Sequence, residues 1–261
     1  MTADDNEVFQ GGVNVLTRVG DTVRRPVGPW TAAVHALLQH LEQQGFAGAP
    51  RVHGIDDEGR EILDFLPGEV GNYPLSEQAR SESALLSAGR LLRGYHDATA
   101  SLVDHEIEAW RLGAIEPTEV ICHGDVAPYN CVFNHGEATA LIDFDFAGPG
   151  PRAWDLAYAL YRFAPLVSPS NPDGFGLLTQ QATRARQFLD SYGATLGLRE
   201  DAVATLVPRL QWLIDHMNSA AEAGDKAFAQ HIADGHADLY LRDIAYLQAN
   251  GSVWEHVVVN D

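Results

Sequence analysis

The chain has 261 residues, and 36 Asp and Glu against 17 Lys and Arg give it a formal net charge of −19. This balance leaves little for the basic face of a nucleic-acid-binding protein, so we expect no nucleic-acid partner. The acidic start MTADDNEVF is unlike a secretory signal, no apolar run reaches the length of a membrane span, and two cysteines exclude a disulfide scaffold, so we expect a cytoplasmic protein without a membrane partner.

The first third of the chain is predicted to be a small sheet with one helix. Residues 8–26 contain two β-rich runs joined by a Gly-Asp turn, which is typical of a hairpin. Two further short strands are predicted on either side of the turn at 56–59. Between these pairs of strands, apolar residues at i, i+3, i+4 and i+7 predict an amphipathic helix: Val34, Leu37, Leu38 and Leu41.

The remaining two thirds are predicted to be mainly helical. Ser76 is the expected N-cap of one long helix that runs to about Ala100. Short strands are expected on both sides of residues 123–130 and again before Asp143, and helices from Trp154 onward. The predicted fold class is therefore α+β, with an N-lobe at residues 1–66 and a larger, mainly helical C-lobe at residues 67–261.

The stretch ICHGDVAPYNCVF, at 121–133, carries the strongest chemical signal. Asp125 and Asn130 have the spacing of a kinase catalytic loop, in which the Asp receives the proton of the substrate hydroxyl and the Asn binds magnesium. Asp143 follows at the end of an apolar strand and can complete an all-oxygen magnesium site. A zinc site is the less favoured alternative, because Cys122, His123 and Cys131 fall short of four ligands.

Three segments, HGDVAPYN, LIDFDFAGPGPRAWDLA and GGVN with TVRRP, resemble the aminoglycoside phosphotransferase (APH) family. The resemblance implies the bilobal protein-kinase-like fold. It assigns catalysis to Asp125 and magnesium binding to Asn130 and Asp143. It also implies that His123 and Asp155 support the catalytic loop. Two roles are open for Asp145: it holds its own loop, which is favoured, or it approaches the metal.

The same resemblance places nucleotide-binding residues in the N-lobe. Gly11, Gly12 and Asn14 would cover the phosphates, Arg24 would bind them, and the backbone of Asp64 and Leu66 would bind adenine. Arg25 is expected on the opposite face of its strand, because side chains alternate. Kinases pair the phosphate-binding residue with a helix Glu. No acid lies near Val34 here, so His35 or Glu42 is the expected substitute.

These features predict an ATP- or GTP-dependent, magnesium-requiring phosphotransferase that modifies a hydroxyl of a small molecule. The resemblance suggests antibiotic resistance and a cationic, aminoglycoside-like acceptor, while a macrolide, a choline-like alcohol or a sugar would use the same phosphate chemistry. A nucleotide-binding pseudokinase is the alternative from another class, motivated by the missing helix Glu. The sequence does not indicate the oligomeric state. Acids that could bind a cation lie late in the chain: Asp215, Glu222, Asp225, Asp234 and Asp238.

Overall fold

A five-stranded antiparallel sheet begins the chain in the computed structural model, which describes residues 6–10 and 15–259. Its spatial order is β1-β2-β3-β5-β4. The predicted Gly-Asp turn joins β2 to β3, and Gly20 has the positive φ of 61° that such a turn favours. The strands are β1 Asn6–Gln10, β2 Val15–Val19, β3 Thr22–Pro26, β4 Val52–Ile55 and β5 Arg60–Asp64.

The predicted first helix is present as α1, Thr31–Gln43. Its four patterned residues are all buried, and they belong to the core cluster that also contains Leu63 of β5 and Leu85 and Leu92 of the next long helix. Burying such an apolar stripe is the main source of stability for a surface helix. The helix therefore packs between the sheet and the rest of the molecule.

Where one long helix was predicted after Ser76, the structure has two, α2 at Glu77–Arg80 and α3 at Glu82–Thr99. The break lies at Ser81, whose backbone is extended and whose hydroxyl accepts a hydrogen bond from the N–H of Ala84 at 3.1 Å. A second serine cap thus competes with continuation of the first helix. The prediction of a single helix was wrong at this residue.

Short strands then frame the loops that carry the motifs. In one small sheet β8 lies between β6 and β9, while β7 pairs with β10. The hairpin between β8 and β9 turns at His135 and Gly136, which have φ values of 53° and 80°. The strands are β6 Glu69–Val70, β7 Val120–Cys122, β8 Cys131–Asn134, β9 Glu137–Leu141 and β10 Gly148–Gly150.

The chain from residue 152 onward is helical. A buried apolar stripe lies on α6 and includes Leu206, Leu210 and Ile214. Gly235, with φ 83°, separates the two helices that follow. The helices are α4 Arg152–Phe163, α5 Leu178–Tyr192, α6 Leu196–Glu222, α7 Lys226–Ala233, α8 His236–Ala249 and α9 Gly251–Val253, followed by a π-helical turn at Trp254–Val259.

The predicted α+β class, with a small N-terminal sheet and a larger helical C-terminal part, is confirmed. None of the helices within residues 6–10 and 15–259 is both long enough and apolar enough to cross a membrane.

Candidate active site

The predicted pair Asp125 and Asn130 is in direct contact on the loop between β7 and β8. A 3-10 turn at Pro128–Asn130 brings the Asn back toward the Asp. The side-chain amide of Asn130 donates to the backbone oxygen of Asp125 and to its Oδ2, both at 2.9 Å. Because both amide hydrogens are used in this way, the oxygen Oδ1 of Asn130 is left for another partner.

Tyr129 holds the other oxygen of the same carboxylate. Its hydroxyl donates to Oδ1 of Asp125 at 2.8 Å and lies 2.9 Å from the hydroxyl of Tyr158 on α4. Burial raises the pKa of Tyr129, and the charge of Asp125 raises it further, so the phenol keeps its proton and acts as a donor. Tyr129 was not among the predicted site residues, although it stands next to Asn130 within the motif.

Asp155, at the start of α4, holds the first residues of the loop. Its fully buried carboxylate accepts hydrogen bonds from the N–H groups of His123 at 2.6 Å and Gly124 at 2.9 Å, and from Nε2 of His96 at 3.1 Å. Burial opposes the charge, but the hydrogen bond from His96 and the further contacts with His123 outweigh it and lower the pKa of Asp155. The loop is therefore anchored on an ionised carboxylate.

His96 on α3 is the neutral partner of this carboxylate. Complete burial lowers its pKa despite the contact with Asp155. Its Nδ1 lies 2.8 Å from the hydroxyl of Tyr192, which can donate to it while Nε2–H donates to Asp155. One neutral tautomer thus satisfies both nitrogens.

His123 and Gly124 connect the catalytic loop to the loop that carries Asp143. Nε2 of His123 donates to the carbonyl of Ile142 at 3.0 Å, and its ring centroid lies 4.7 Å from that of Phe144. Gly124 has φ 81°, and a Cβ there would overlap the carbonyl oxygen of Phe146. Glycine is therefore required for the two loops to lie this close.

Asp143 and Asp145 both face Arg25 of β3. Asp143 has the left-handed φ of 61°, unusual for a residue other than glycine, and its side chain is 49% exposed. NH1 of Arg25 lies 3.3 Å from Oδ1 of Asp143, and NH2 donates to Oδ1 of Asp145 at 2.7 Å. The N-terminal sheet thus supplies a cation to the loop that follows β9.

This arrangement corrects the prediction for Arg24. The two arginines do face opposite sides of the strand, but Arg25, not Arg24, is directed toward Asp143 and Asp145. Arg24 donates to the hydroxyl of Thr22 at 2.6 Å and lies 3.8 Å from Asp56. The alternation of side chains along a strand shows only that Arg24 and Arg25 face opposite sides. The pairing of β3 with β5 decides which of the two faces inward.

Glu61 of β5 supplies beside Arg25 the acid that kinases carry on a helix. It lies opposite Arg25 in the sheet, it is 1% exposed, and its Oε1 is in ion-pair contact with Nε of Arg25 at 2.6 Å, although the angles are not those of a hydrogen bond. Its Oε2 lies 2.9 Å from Nε2 of His35. His35 therefore contacts the arginine's partner and not the arginine, while Glu42 pairs with Arg51 at 3.4 Å.

The other predicted nucleotide-binding residues have different outcomes. Gly11, Gly12 and Asn14 lie outside the described residues. The N–H of Asp64 donates to the carbonyl of Arg51 at 3.0 Å, so that donor is already used within the protein. The roles of the Asp64 carbonyl and of the Leu66 backbone in binding adenine stay predictions.

Both cysteines are buried free thiols. Cys122 donates a hydrogen bond to the carbonyl of Pro151 at 3.3 Å, and Cys131 belongs to the main core cluster. Burial raises the pKa of each thiol, which keeps it protonated. They pack beside the catalytic loop as small apolar residues.

Comparison with known proteins agrees with this geometry. The family model described as "Phosphotransferase enzyme family" (APH) matches residues 100–200, which include Asp125, Asn130, Asp143 and Asp155. Over 208 residues the chain is 39% identical to the trifolitoxin immunity protein of Rhizobium leguminosarum bv. trifolii, covering 76% of this chain and 77% of that one.

Two solved structures show the same fold at low identity. A choline/ethanolamine kinase family protein from Mesorhizobium loti superposes with a TM-score of 0.57 at 15% identity, covering 95% of this chain and 94% of that one. The ternary complex of streptomycin, ATP and APH(2'')-IIa superposes with a TM-score of 0.52 at 14% identity, covering 90% of this chain and 93% of the other.

The fold and the family match together define a small-molecule phosphotransferase with the protein-kinase-like architecture. The chain belongs to the aminoglycoside phosphotransferase (APH) family.

Proposed function

We propose that the protein transfers the γ-phosphoryl group of ATP to a hydroxyl group of a small molecule. The observation that carries the proposal is the joining of Asp125, Asn130 and Asp143 on two loops that His123 and Gly124 hold together. In the transfer the hydroxyl oxygen forms a bond to the γ-phosphorus, the bond from that phosphorus to the β,γ-bridging oxygen breaks, and ADP leaves. The hydroxyl proton passes to the carboxylate of Asp125.

Asp125 is suited to orient the hydroxyl as much as to accept its proton. Each of its oxygens already accepts one hydrogen bond, from Tyr129 and from Asn130. A carboxylate has about four lone-pair positions, so positions for a substrate hydroxyl remain. The two existing bonds fix the direction in which those positions point, and orientation alone supplies much of the advantage of an enzyme over solution.

The residues present fit magnesium. The amide oxygen of Asn130 and the half-exposed carboxylate of Asp143 are the hard oxygen ligands that this ion prefers. Arg25 lies against Asp143, Asp145 and Glu61. Three carboxylates around one guanidinium leave an excess of negative charge. When bound, the ion would neutralise charge on the phosphates, and Asn130 and Asp143 would hold it.

The pseudokinase alternative loses its motivation. It rested on the missing helix Glu, and Glu61 takes that place from β5. The acceptor is less well supported. The cationic acceptor suggested by the resemblance agrees with the streptomycin named in one neighbour and the choline or ethanolamine named in another. The name of the 39% identical relative points instead to immunity against a toxin.

The acids that were candidates for binding a cation have ordinary surface contacts. Asp225 is the N-cap of α7, and its Oδ1 accepts from two backbone N–H groups. Asp215 and Asp234 each accept a hydrogen bond from a glutamine one turn earlier on the helix. These contacts do not favour a polycation over another hydroxyl compound.

The test is nucleotide consumption with magnesium across a panel of aminoglycosides, macrolides, choline, sugars and hydroxy acids, with ATP and GTP compared as donors. Wild-type protein should release ADP in the presence of one class of acceptor. Asp125→Asn should reduce that release at least a thousandfold while ATP binding changes less than threefold. Acceptor-dependent release by Asp125→Asn within tenfold of wild type would show that the assignment is wrong.

A further inference from the structure

Another buried arginine, Arg162 of α4, contacts the tyrosine that donates to Asp125. Its side chain is 8% exposed, and its guanidinium carbon stands 4.6 Å from the ring centroid of Tyr73, 5.2 Å from that of Tyr129 and 5.6 Å from that of Tyr161. Two more rings extend this wall, since Tyr158 lies 6.0 Å and Tyr240 6.2 Å from Tyr161. We call Arg162 and these five residues the tyrosine–arginine cluster.

The cluster is next to the catalytic carboxylate. Tyr129 contacts Arg162 with its ring and donates its hydroxyl to Asp125 at 2.8 Å, so one tyrosine side chain separates the arginine from the reacting centre. Tyr158 of α4 continues this hydrogen-bonded chain, because its hydroxyl lies 2.9 Å from that of Tyr129. A small molecule whose hydroxyl reaches Asp125 would therefore lie beside the cluster.

The donors of Arg162 are largely unsatisfied. Its Nε is buried and has no hydrogen-bond partner among the described residues. Within the same part of the chain its one carboxylate contact is Asp173, whose Oδ2 lies 3.6 Å from NH2, beyond hydrogen-bond distance. Ring faces stabilise the charge of a guanidinium, but they do not accept its N–H groups in the plane. The planar donor group of Arg162 thus has no equally planar partner among the described residues.

We infer that Arg162 binds a carboxylate of the acceptor, and that the acceptor is a hydroxyl compound carrying such a group and not a polycation. A carboxylate matches the fork of a guanidinium with two parallel hydrogen bonds, and such pairs are strong where water is scarce. The faces of Tyr73, Tyr129 and Tyr161, which could otherwise hold an ammonium group, are already occupied by Arg162. The loop residue Asp173 holds the place that the incoming carboxylate takes.

This inference rests on the proposed function for the identity of the site, but its first test is binding and needs no turnover. The probes are benzoate and benzamide, which share a ring and differ in charge, and their binding is measured by NMR titration. Wild-type protein should bind benzoate at least tenfold more tightly than benzamide. Arg162→Met should abolish that preference. Arg80→Met, which removes an exposed arginine stacked on Phe175 at 5.4 Å, should leave it within twofold.

Asp173→Asn is a second variant that tests the inference even if Arg162→Met fails to fold. It keeps the arginine and removes the charge that competes with the ligand, so benzoate should bind threefold to tenfold more tightly while benzamide is unchanged. Equal binding of the two probes to wild type, or no change in Asp173→Asn, would overturn the inference. Displacement of benzoate by ADP would also overturn it, because the carboxylate site would then belong to the nucleotide.

Turnover separates the two proposals. The acceptors are matched pairs, gluconate with glucose and pantothenate with pantothenol, each tested with ATP and magnesium. We expect the carboxylate member to be the better acceptor, with the preference lost in Arg162→Met. Phosphorylation of both members at equal rates would remove the carboxylate inference and keep the phosphotransferase. Selective binding of benzoate without turnover of any acceptor, including the wider panel, would keep the site and remove the phosphotransferase.

Discussion

Arg25 and Arg162 are equally buried, at 7% and 8% exposure, yet their surroundings are opposite. Arg25 is surrounded by the carboxylates of Glu61, Asp143 and Asp145. Arg162 is surrounded by tyrosine rings, with one carboxylate at 3.6 Å. Burying a charge requires compensation, and the protein provides it by opposite charge on one side and by ring faces on the other.

The difference separates two kinds of ligand. Around Arg25 the carboxylates exceed the arginine in charge, which favours an additional cation such as the metal that accompanies a nucleotide. Around Arg162 the charge is stabilised but the donors remain unfilled, which favours an anion. We therefore expect the surroundings of the two arginines to favour chemically different ligands.

The largest expected effect comes from distorting the loop that contains Gly124. Gly124→Ala combines a left-handed backbone, at about 1–2 kcal/mol, with overlap on the Phe146 carbonyl, at about 1–3 kcal/mol. We expect the free energy of unfolding to fall by about 2–5 kcal/mol, as measured by urea titration, and binding on both sides to weaken. Gly136→Ala is the matched control, because it has a similar φ of 80° with nothing within 4 Å. Equal losses in the two variants would mean that the close approach of the loops is unimportant.

A smaller effect should be confined to the nucleotide side. Glu61→Gln removes the buried charge that holds Arg25, so the Kd for ATP with magnesium should rise about tenfold to a hundredfold, about 1.4–2.8 kcal/mol. Arg24→Gln is the control and should change that Kd less than twofold. Calorimetric titration measures both. If Arg24→Gln proved the more damaging variant, the assignment of Arg25 would be wrong, and benzoate binding should be unchanged in either case.

The smallest expected effect is a pH dependence of the free energy of unfolding that arises from His96. Burial lowers the pKa of His96 below 6.5, so as the pH falls from 6.5 the unfolded chain binds a proton there before the folded chain does. Stability should therefore decrease with falling pH in this range, by at most about 1.4 kcal/mol per pH unit from this residue. His96→Gln should show a shallower slope of unfolding free energy between pH 6.5 and 5. Identical slopes would contradict the neutral, buried state of His96.

The fold class and the contact between Asp125 and Asn130 could be predicted because their signals are local. The helical stripe of α1 and the Asp125–Asn130 spacing are both contained within a few turns of chain. The break at Ser81 could not be seen in this way, because Ser76 and Ser81 are both good caps and the sequence does not rank them.

The candidate site residues that were not predicted are brought together by contacts between distant parts of the chain. Glu61 reaches Arg25 through the register of β3 with β5, and that register depends on the whole sheet. The tyrosine–arginine cluster gathers side chains from residue 73, the catalytic loop, α4 and α8, so neither the i, i+3 spacing of Tyr158 and Tyr161 nor any single motif reveals it. Local patterns indicate the phosphate chemistry, while the acceptor side is assembled only in three dimensions.

The 3-10 turn Pro128–Asn130 contributes one residue to each side, since Tyr129 belongs to the tyrosine–arginine cluster and Asn130 to the proposed metal site. Adjacent residues of one tight turn cannot be moved independently, so a substitution that reshapes the acceptor side here would also displace a metal ligand. New acceptor preferences are therefore expected to arise at Tyr73 or at Tyr240 of α8, because α4 also carries Asp155 and Tyr158, which hold the loop. Among related enzymes we therefore expect this turn to vary less than the residues at Tyr73 and on α8.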